Sequence, residues 1–159
     1  MTKSELRAYA MRVSQASRTE LIVIMYEVAI KYIDDAVAAL NNGDIEGYRQ
    51  NLKKSKAFVN ELASVLDMKY DVSLNLLSLY TFMNKAMVRA DITLKTDELI
   101  RVRGMLDKLR ISFVHVSATD DSAPMMKNVQ QVYAGLTYGK GYLNETMLDN
   151  NITGRGFQA

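Results

Sequence analysis

Between Ser17 and Ser117, four successive stretches place apolar residues at steps of three and four, with only about 3 to 6 residues separating one stretch from the next. A 3.6-residue period puts one face of a helix into a core, and such short connections force consecutive helices to reverse direction. The expected fold is therefore all-α: an antiparallel up-and-down four-helix bundle, with a short N-terminal arm or helix before it and a C-terminal extension after it.

The first stretch opens on a capping pattern, Ser17-Arg18-Thr19-Glu20, and is expected to run to about Asn41. Its apolar surface is wider than one core requires. One stripe holds Leu21, Ile24, Met25, Val28 and Tyr32; a second holds Ile22, Tyr26, Ala29, Ile33, Val37 and Leu40. Such a helix is either central in its domain or packs on the core with one stripe and on something else with the other. Periodicity alone does not say which stripe faces inward.

Asn41-Asn42-Gly43-Asp44 supplies a stop, a turn and a new N-cap. The next stretch, Ile45, Tyr48, Leu52, Ser55, Val59, Leu62 and Leu66, has one apolar face and ends near Asp67. The following helix, from about Val72 to Asp91, again carries two stripes. Leu77, Tyr80, Asn84 and Met87 lie beside Leu76, Leu79, Met83, Ala86 and Ala90, leaving Asn75, Ser78, Lys85 and Arg89 as a wet edge. The last helix, from about Asp97 to Ser117, is capped by Thr96 and returns to one face, with Asp97 and Glu98 beside the positive end of its dipole.

The ends differ from this middle. Residues 4 to 13 are expected to form a short helix or an extended arm, too short to be stable alone and so either docked or mobile. After Thr119, the Asp120-Asp121-Ser122 run and Pro124 mark a break. The residues beyond them are rich in Gly, Asn, Tyr and Met, with Met125, Met126, Val129, Val132, Tyr133 and Leu136 at helical spacing. The organisation read from this is an arm over residues 1–16, a bundle over 17–118 and a flexible or docking tail over 119–159. The tail's Val132 to Tyr138 segment is a candidate occupant of any groove on the bundle.

Chemistry is sparsely provided. Cysteine is absent and there is one histidine, His115, so thiolate nucleophiles, zinc-thiolate sites and most base-assisted mechanisms have no residues to use. A di-iron bundle would need a Glu-x-x-His motif on each of two helices, and there is none. Asp34-Asp35 and Asp120-Asp121 are neighbours that diverge on a helix, and the glycines lack phosphate-loop spacing. No cofactor, metal or catalytic residue is expected; the protein reads as a non-enzyme.

A net charge of +2 names no polyanionic partner. Arg49, Lys53 and Lys56 share a helix face, but no aromatic interleaving accompanies them, so a solvated face is expected there and not a nucleic-acid footprint. The charged N-terminus lacks an apolar signal core, and no run approaches the roughly 20 apolar residues of a membrane span. The expectation is a cytoplasmic protein with no membrane insertion. Ten methionines are the more telling excess, because flexible thioethers both fill cores and line adaptable peptide grooves.

An ordered set of short motifs sharpens this. Tyr9 is followed by Ala16-Ser17-Arg18-Thr19-Glu20-Leu21-Ile22, then Met25-Tyr26-Glu27-Val28-Ala29, Gly43-Asp44-Ile45, Leu62-Ala63-Ser64-Val65-Leu66-Asp67, and Asn75-Leu76-Leu77-Ser78-Leu79-Tyr80-Thr81-Phe82-Met83-Asn84. In order and spacing, over residues 5 to 117, the chain resembles the FliS family of flagellar export chaperones. It departs from that pattern where Arg18 stands for Pro, Val28 for Gly, and Lys69-Tyr70-Asp71 for Lys-Gly-Gly. A branched side chain at Val28 fills space that Gly leaves open to a partner or a neighbouring helix.

The resemblance implies a cytoplasmic chaperone that binds the disordered C-terminal region of flagellin, prevents premature polymerisation and delivers the subunit to the flagellar type III export apparatus. The client contacts expected on that basis are Ile22, Met25, Tyr26 and Ala29 on one helix, and Leu76, Leu79, Tyr80, Met83, Asn84 and Met87 on another. Tyr9 would act as a gate from the arm. The competing expectation is a FliS-like bundle that uses its surplus apolar surface for self-association, as a homodimer or scaffold with a different client.

Overall fold

Two capping boxes start the chain's first two helices, and a glycine turn separates the second from the third. The structure, a computed structural model, describes residues 1–125. It contains α1 (Lys3–Gln15), α2 (Arg18–Asn41), α3 (Ile45–Ser64), α4 (Asp71–Thr93) and α5 (Asp97–Ser117), with no strand among the described residues. The expected tail segment Val132 to Tyr138 lies outside the described residues.

The 4-to-13 segment, helix or extended from sequence, is helical and docked. Thr2 caps α1 by accepting from the Glu5 N–H while the Glu5 carboxylate accepts from the Thr2 N–H. Ser17 and Glu20 close the same reciprocal box at the start of α2, at 3.3 and 2.8 Å. Asp44 caps α3 by accepting from the Gly47 N–H at 2.8 Å. Gly43, at φ +76°, supplies the left-handed residue that lets the chain reverse between α2 and α3. Thr96 differs from expectation: it sits at the N-cap of α5 in a helical conformation and its side chain makes no cap bond.

Helix α2 packs on α3 and α5, and α4 packs on the same two helices from the other side. Arg49 pairs with Asp91 and Asn60 with Asn84, so α3 and α4 run antiparallel; Asp34 with Arg103 and Tyr26 with Phe113 show the same for α2 and α5. This packing is consistent with a four-helix bundle. Its interior is built from Tyr26, Ala29 and Ile33 of α2, Tyr48, Leu52, Val59 and Leu62 of α3, Tyr80, Met83 and Met87 of α4, and Leu99, Val102 and Leu106 of α5. Each large side chain so enclosed contributes roughly 1.5–3 kcal/mol by leaving water.

A second, smaller apolar cluster lies outside that interior. Ala16, Ile24, Val28 and Tyr32 form it, with Tyr9 and Val13 of α1 and Phe58 of α3 packed against them. The segment after α5 returns to this end of the fold: the Thr19 hydroxyl donates to the Asp120 carboxylate, and the Met125 N–H donates to the Ala16 carbonyl at 3.1 Å.

Candidate functional site

Both apolar stripes of α2 are covered, by different partners. The stripe Tyr26, Ala29 and Ile33 is fully enclosed against α3, α4 and α5, whereas Ile24, Val28 and Tyr32 lie under α1. Beneath the arm those three residues are only 4%, 6% and 7% exposed. Val28 occupies the interior of this second cluster, where its branched side chain meets the arm.

The arm itself is a 13-residue helix, short enough to be marginal in water without tertiary contact. Tyr9 and Val13, four residues apart, give it one apolar edge. Ion pairs flank that edge: Arg12 to Glu27 at 2.5 Å and Glu5 to Lys31 at 3.4 Å. The Glu27 carboxylate also holds the Arg12 guanidinium above its ordinary pKa, and burial raises the Tyr9 phenol. Exposed pairs of this kind are worth a few tenths of a kcal/mol to about 1 kcal/mol each, so the arm is seated by its apolar edge together with the nearly buried pair of the Met1 ammonium and Asp35.

Beside the arm, a cleft of about 430 Å³ opens where the end of α1, the start of α2 and the end of α5 meet. Val23, Ile24 and Val114 line it together with Arg12, Glu20 and Glu27. Apolar side chains in a concave wall, with a few charges at the rim, are what an amphipathic helix needs from its receptor.

The residues expected to touch a client divide sharply. Tyr26, Ala29, Tyr80, Met83 and Met87 are at most 1% exposed, inside the bundle, so none of them presents a surface in this state. The Tyr26 and Tyr80 hydroxyls hydrogen-bond each other there, and burial followed by this bond drives the Tyr26 pKa far above the phenol range. Met25 is buried in the same core, while Ile22, Leu76 and Leu79 are half-buried against it. Asn84 is half-buried at the α3–α4 groove, where its amide donates to Asn60 at 2.7 Å and its Oδ1 has no donor among the described residues. Tyr9 is half-buried on α2.

The client set read from sequence thus emphasised the stripe that faces the core and omitted Ile24, Val28 and Tyr32, the stripe the arm covers. The missed signal was in the arm: Thr2-Lys3-Ser4-Glu5 carries the same capping signature as Ser17 to Glu20, and Tyr9 and Val13 have helical spacing.

Comparison with known proteins bears on what such a face does. The family model of the flagellar protein FliS matches residues 2–120. The chain belongs to the FliS family. A relative in Bacillus subtilis (strain 168), the flagellar secretion chaperone FliS, is 30% identical over 98 residues, spanning 62% of this chain and 74% of the relative. The FliS match takes in α1 as well as α2 to α5, so the arm and the stripe beneath it belong to the shared unit. Together they support a chaperone role for this FliS protein. No described helix is long and apolar enough to cross a membrane.

Proposed function

We propose that this protein is a cytoplasmic, non-enzymatic chaperone that binds the disordered C-terminal region of flagellin, keeps it from polymerising early and delivers it to the flagellar type III export apparatus. The observation that carries this reading is the second stripe of α2, Ile24, Val28 and Tyr32, which lies outside the bundle interior under the short helix of the chain's own arm, with Phe58 of α3 stacked at its Tyr32 end. A bundle helix with an apolar face outside its core needs a cover, and α1 has the size and amphipathy of a segment that another helix could replace. Tyr9 is the gate: it holds the arm's apolar edge on α2 and would leave with it.

A client helix taking that place buries the same three side chains, so its binding energy is what remains after the arm is displaced and the client ordered. On this reading Ile22 is a contact at the margin, Met25, Tyr26, Ala29, Tyr80, Met83 and Met87 support the surface from within, and Leu76, Leu79 and Asn84 stand on α4, outside the cluster under the arm. The remaining architecture proposed is an up-and-down four-helix bundle over residues 17–118, with residues 1–16 as its arm and 119–159 as a tail.

Calorimetric titration of the full chain with the C-terminal region of flagellin from the same genome tests this. One-to-one binding with a negative heat-capacity change is expected, and Tyr9→Ala should tighten it by loosening the arm while Val28→Asp abolishes it. Absence of binding by both the full chain and Tyr9→Ala would overturn the flagellin assignment. Unchanged binding in Val28→Asp would overturn the location.

A further inference from the structure

The α3–α4 side of the fold carries a groove that the client reading leaves unused. It holds about 590 Å³ and is lined by Lys56, Asn60, Thr81, Asn84, Lys85, Val88 and Arg89. The Asn60–Asn84 hydrogen bond crosses it, and the Arg49–Asp91 ion pair, at 3.3 Å, joins the same two helices further along. The distance along α3 between Arg49 and Asn60 is three turns, roughly 17 Å, a fit for a partner helix of about 12 residues or more.

Two properties of this groove belong together. The first is exposed apolar surface on α4: Val88, in the groove wall, is 41% exposed, and Ile92, one turn further on and outside the groove lining, is 77% exposed. The second is unbalanced positive charge. Asp91 is engaged by Arg49 and Glu98 by Arg89, which leaves Lys53, Lys56 and Lys85 with no carboxylate partner among the described residues. Lys53 stands on the same stripe of α3 as Arg49 and Lys56.

We infer that the α3–α4 groove docks an acidic amphipathic helix of a partner protein, with apolar side chains on Val88 and Ile92 and carboxylates reaching Lys53, Lys56 and Lys85. Charge complementarity chooses this occupant. A second copy of the chain in this groove would show as self-association of the protein before any peptide is added, and that result would overturn this choice of occupant. A nucleic acid would use the cations but has nothing to set against Val88 and Ile92, and no aromatic side chain lines the groove for a base to stack on. The partner is distinct from the client proposed above, since α4 has no part in the cluster under the arm.

The test uses the full chain, isotopically labelled, and a synthetic helical peptide of about 16 residues with leucines on one face and glutamates flanking them. Expected are saturable binding that weakens with salt, amide shifts confined to α3 and α4, and a loss of about tenfold or more in Lys56→Glu/Lys85→Glu that Lys56→Arg/Lys85→Arg does not show. The charge-inverted peptide, with lysines for glutamates, should not bind. Val88→Asp should weaken the peptide as strongly as the charge reversal, with flagellin binding unchanged in every variant. Shifts located at α1 and α2, indifference to the charge reversal, or no binding at millimolar peptide would each overturn the inference. So would a duplex oligonucleotide that binds this groove more tightly than the peptide, which would assign the lysines to phosphate.

Discussion

Tyr26 and Tyr80 permit a sharp test of how the bundle interior is held. Their rings are 0% and 1% exposed, and each hydroxyl is the only hydrogen-bond partner of the other among the described residues. Removing one hydroxyl strands its mate in the bundle interior, and an unsatisfied buried polar group costs about 1–3 kcal/mol. Removing both leaves two phenyl rings and a void about the size of two oxygens, with nothing left unsatisfied. Tyr26→Phe and Tyr80→Phe should each lower unfolding free energy by about 2 kcal/mol, and the double variant by no more than about 1 kcal/mol, a coupling of about 3 kcal/mol.

Urea titration followed by far-ultraviolet circular dichroism reads this directly, provided all four proteins share one denaturant slope. The double variant must recover stability relative to either single one. Losses that simply add, to about 4 kcal/mol, would mean the hydroxyls find other partners and the pair is not a closed unit. On the function proposed above, the same variants should bind the flagellin C-terminal region with the parent's affinity, because neither hydroxyl reaches the surface; a tenfold weakening would show that the client enters the bundle itself.

Alkali attacks the same interior. Burial raises the phenols of Tyr26, Tyr80 and Tyr48 above their ordinary value of 10, so the folded state retains protons that the unfolded chain gives up above that pH. Stability should therefore be level below about pH 10 and fall as pH rises beyond it, with a shallower fall in the double phenylalanine variant, measured by urea midpoints from pH 8 to 11.5. At the other end of the scale, hydrogen bonds from the Thr19 hydroxyl and from Ser122 hold the Asp120 carboxyl down to about 2. Carboxyl-carbon NMR should show that titration move up toward 3.8 in Thr19→Val; an unchanged value would mean that Thr19 does not hold the segment after α5. Gly43→Ala should cost about 1 kcal/mol in a urea melt through its φ of +76° alone, since nothing lies within 4 Å of the added methyl group; a cost near zero would mean the turn relaxes.

Helices α2 to α5 were legible because each keeps its period and three of the four begin where a side chain or dipole signal stands, at Ser17, Asp44 and Asp97. The orientation of α2 was not, for a physical reason. Its two stripes differ little in hydrophobicity, so periodicity identifies both and ranks neither, and only the packing of α3, α4 and α5 on Tyr26, Ala29 and Ile33 decides between them. The exposed face of α4 was legible in part: Asn75, Ser78, Lys85 and Arg89 do face water, but Phe82, Val88 and Ile92 stand among them, and a helix that presents apolar residues all round gives no polar sector to orient it.

These two ambiguities share a cause. A helix that packs mainly on the bundle interior needs one wide apolar face, and α3, whose Lys53 and Lys54 stand away from Leu52, Val59 and Leu62, is closest to that kind. α2 and α4 carry more apolar surface than the interior takes up, and the two excesses end differently. On α2 the surplus lies under α1, held by the arm's apolar edge and by ion pairs to α2. On α4 Val88 and Ile92 stay open beside Lys53, Lys56 and Lys85. If the covered face of α2 takes a client and the open face of α4 a partner helix, as proposed above, the diagonal placement of α2 and α4 across the interior keeps the two from competing.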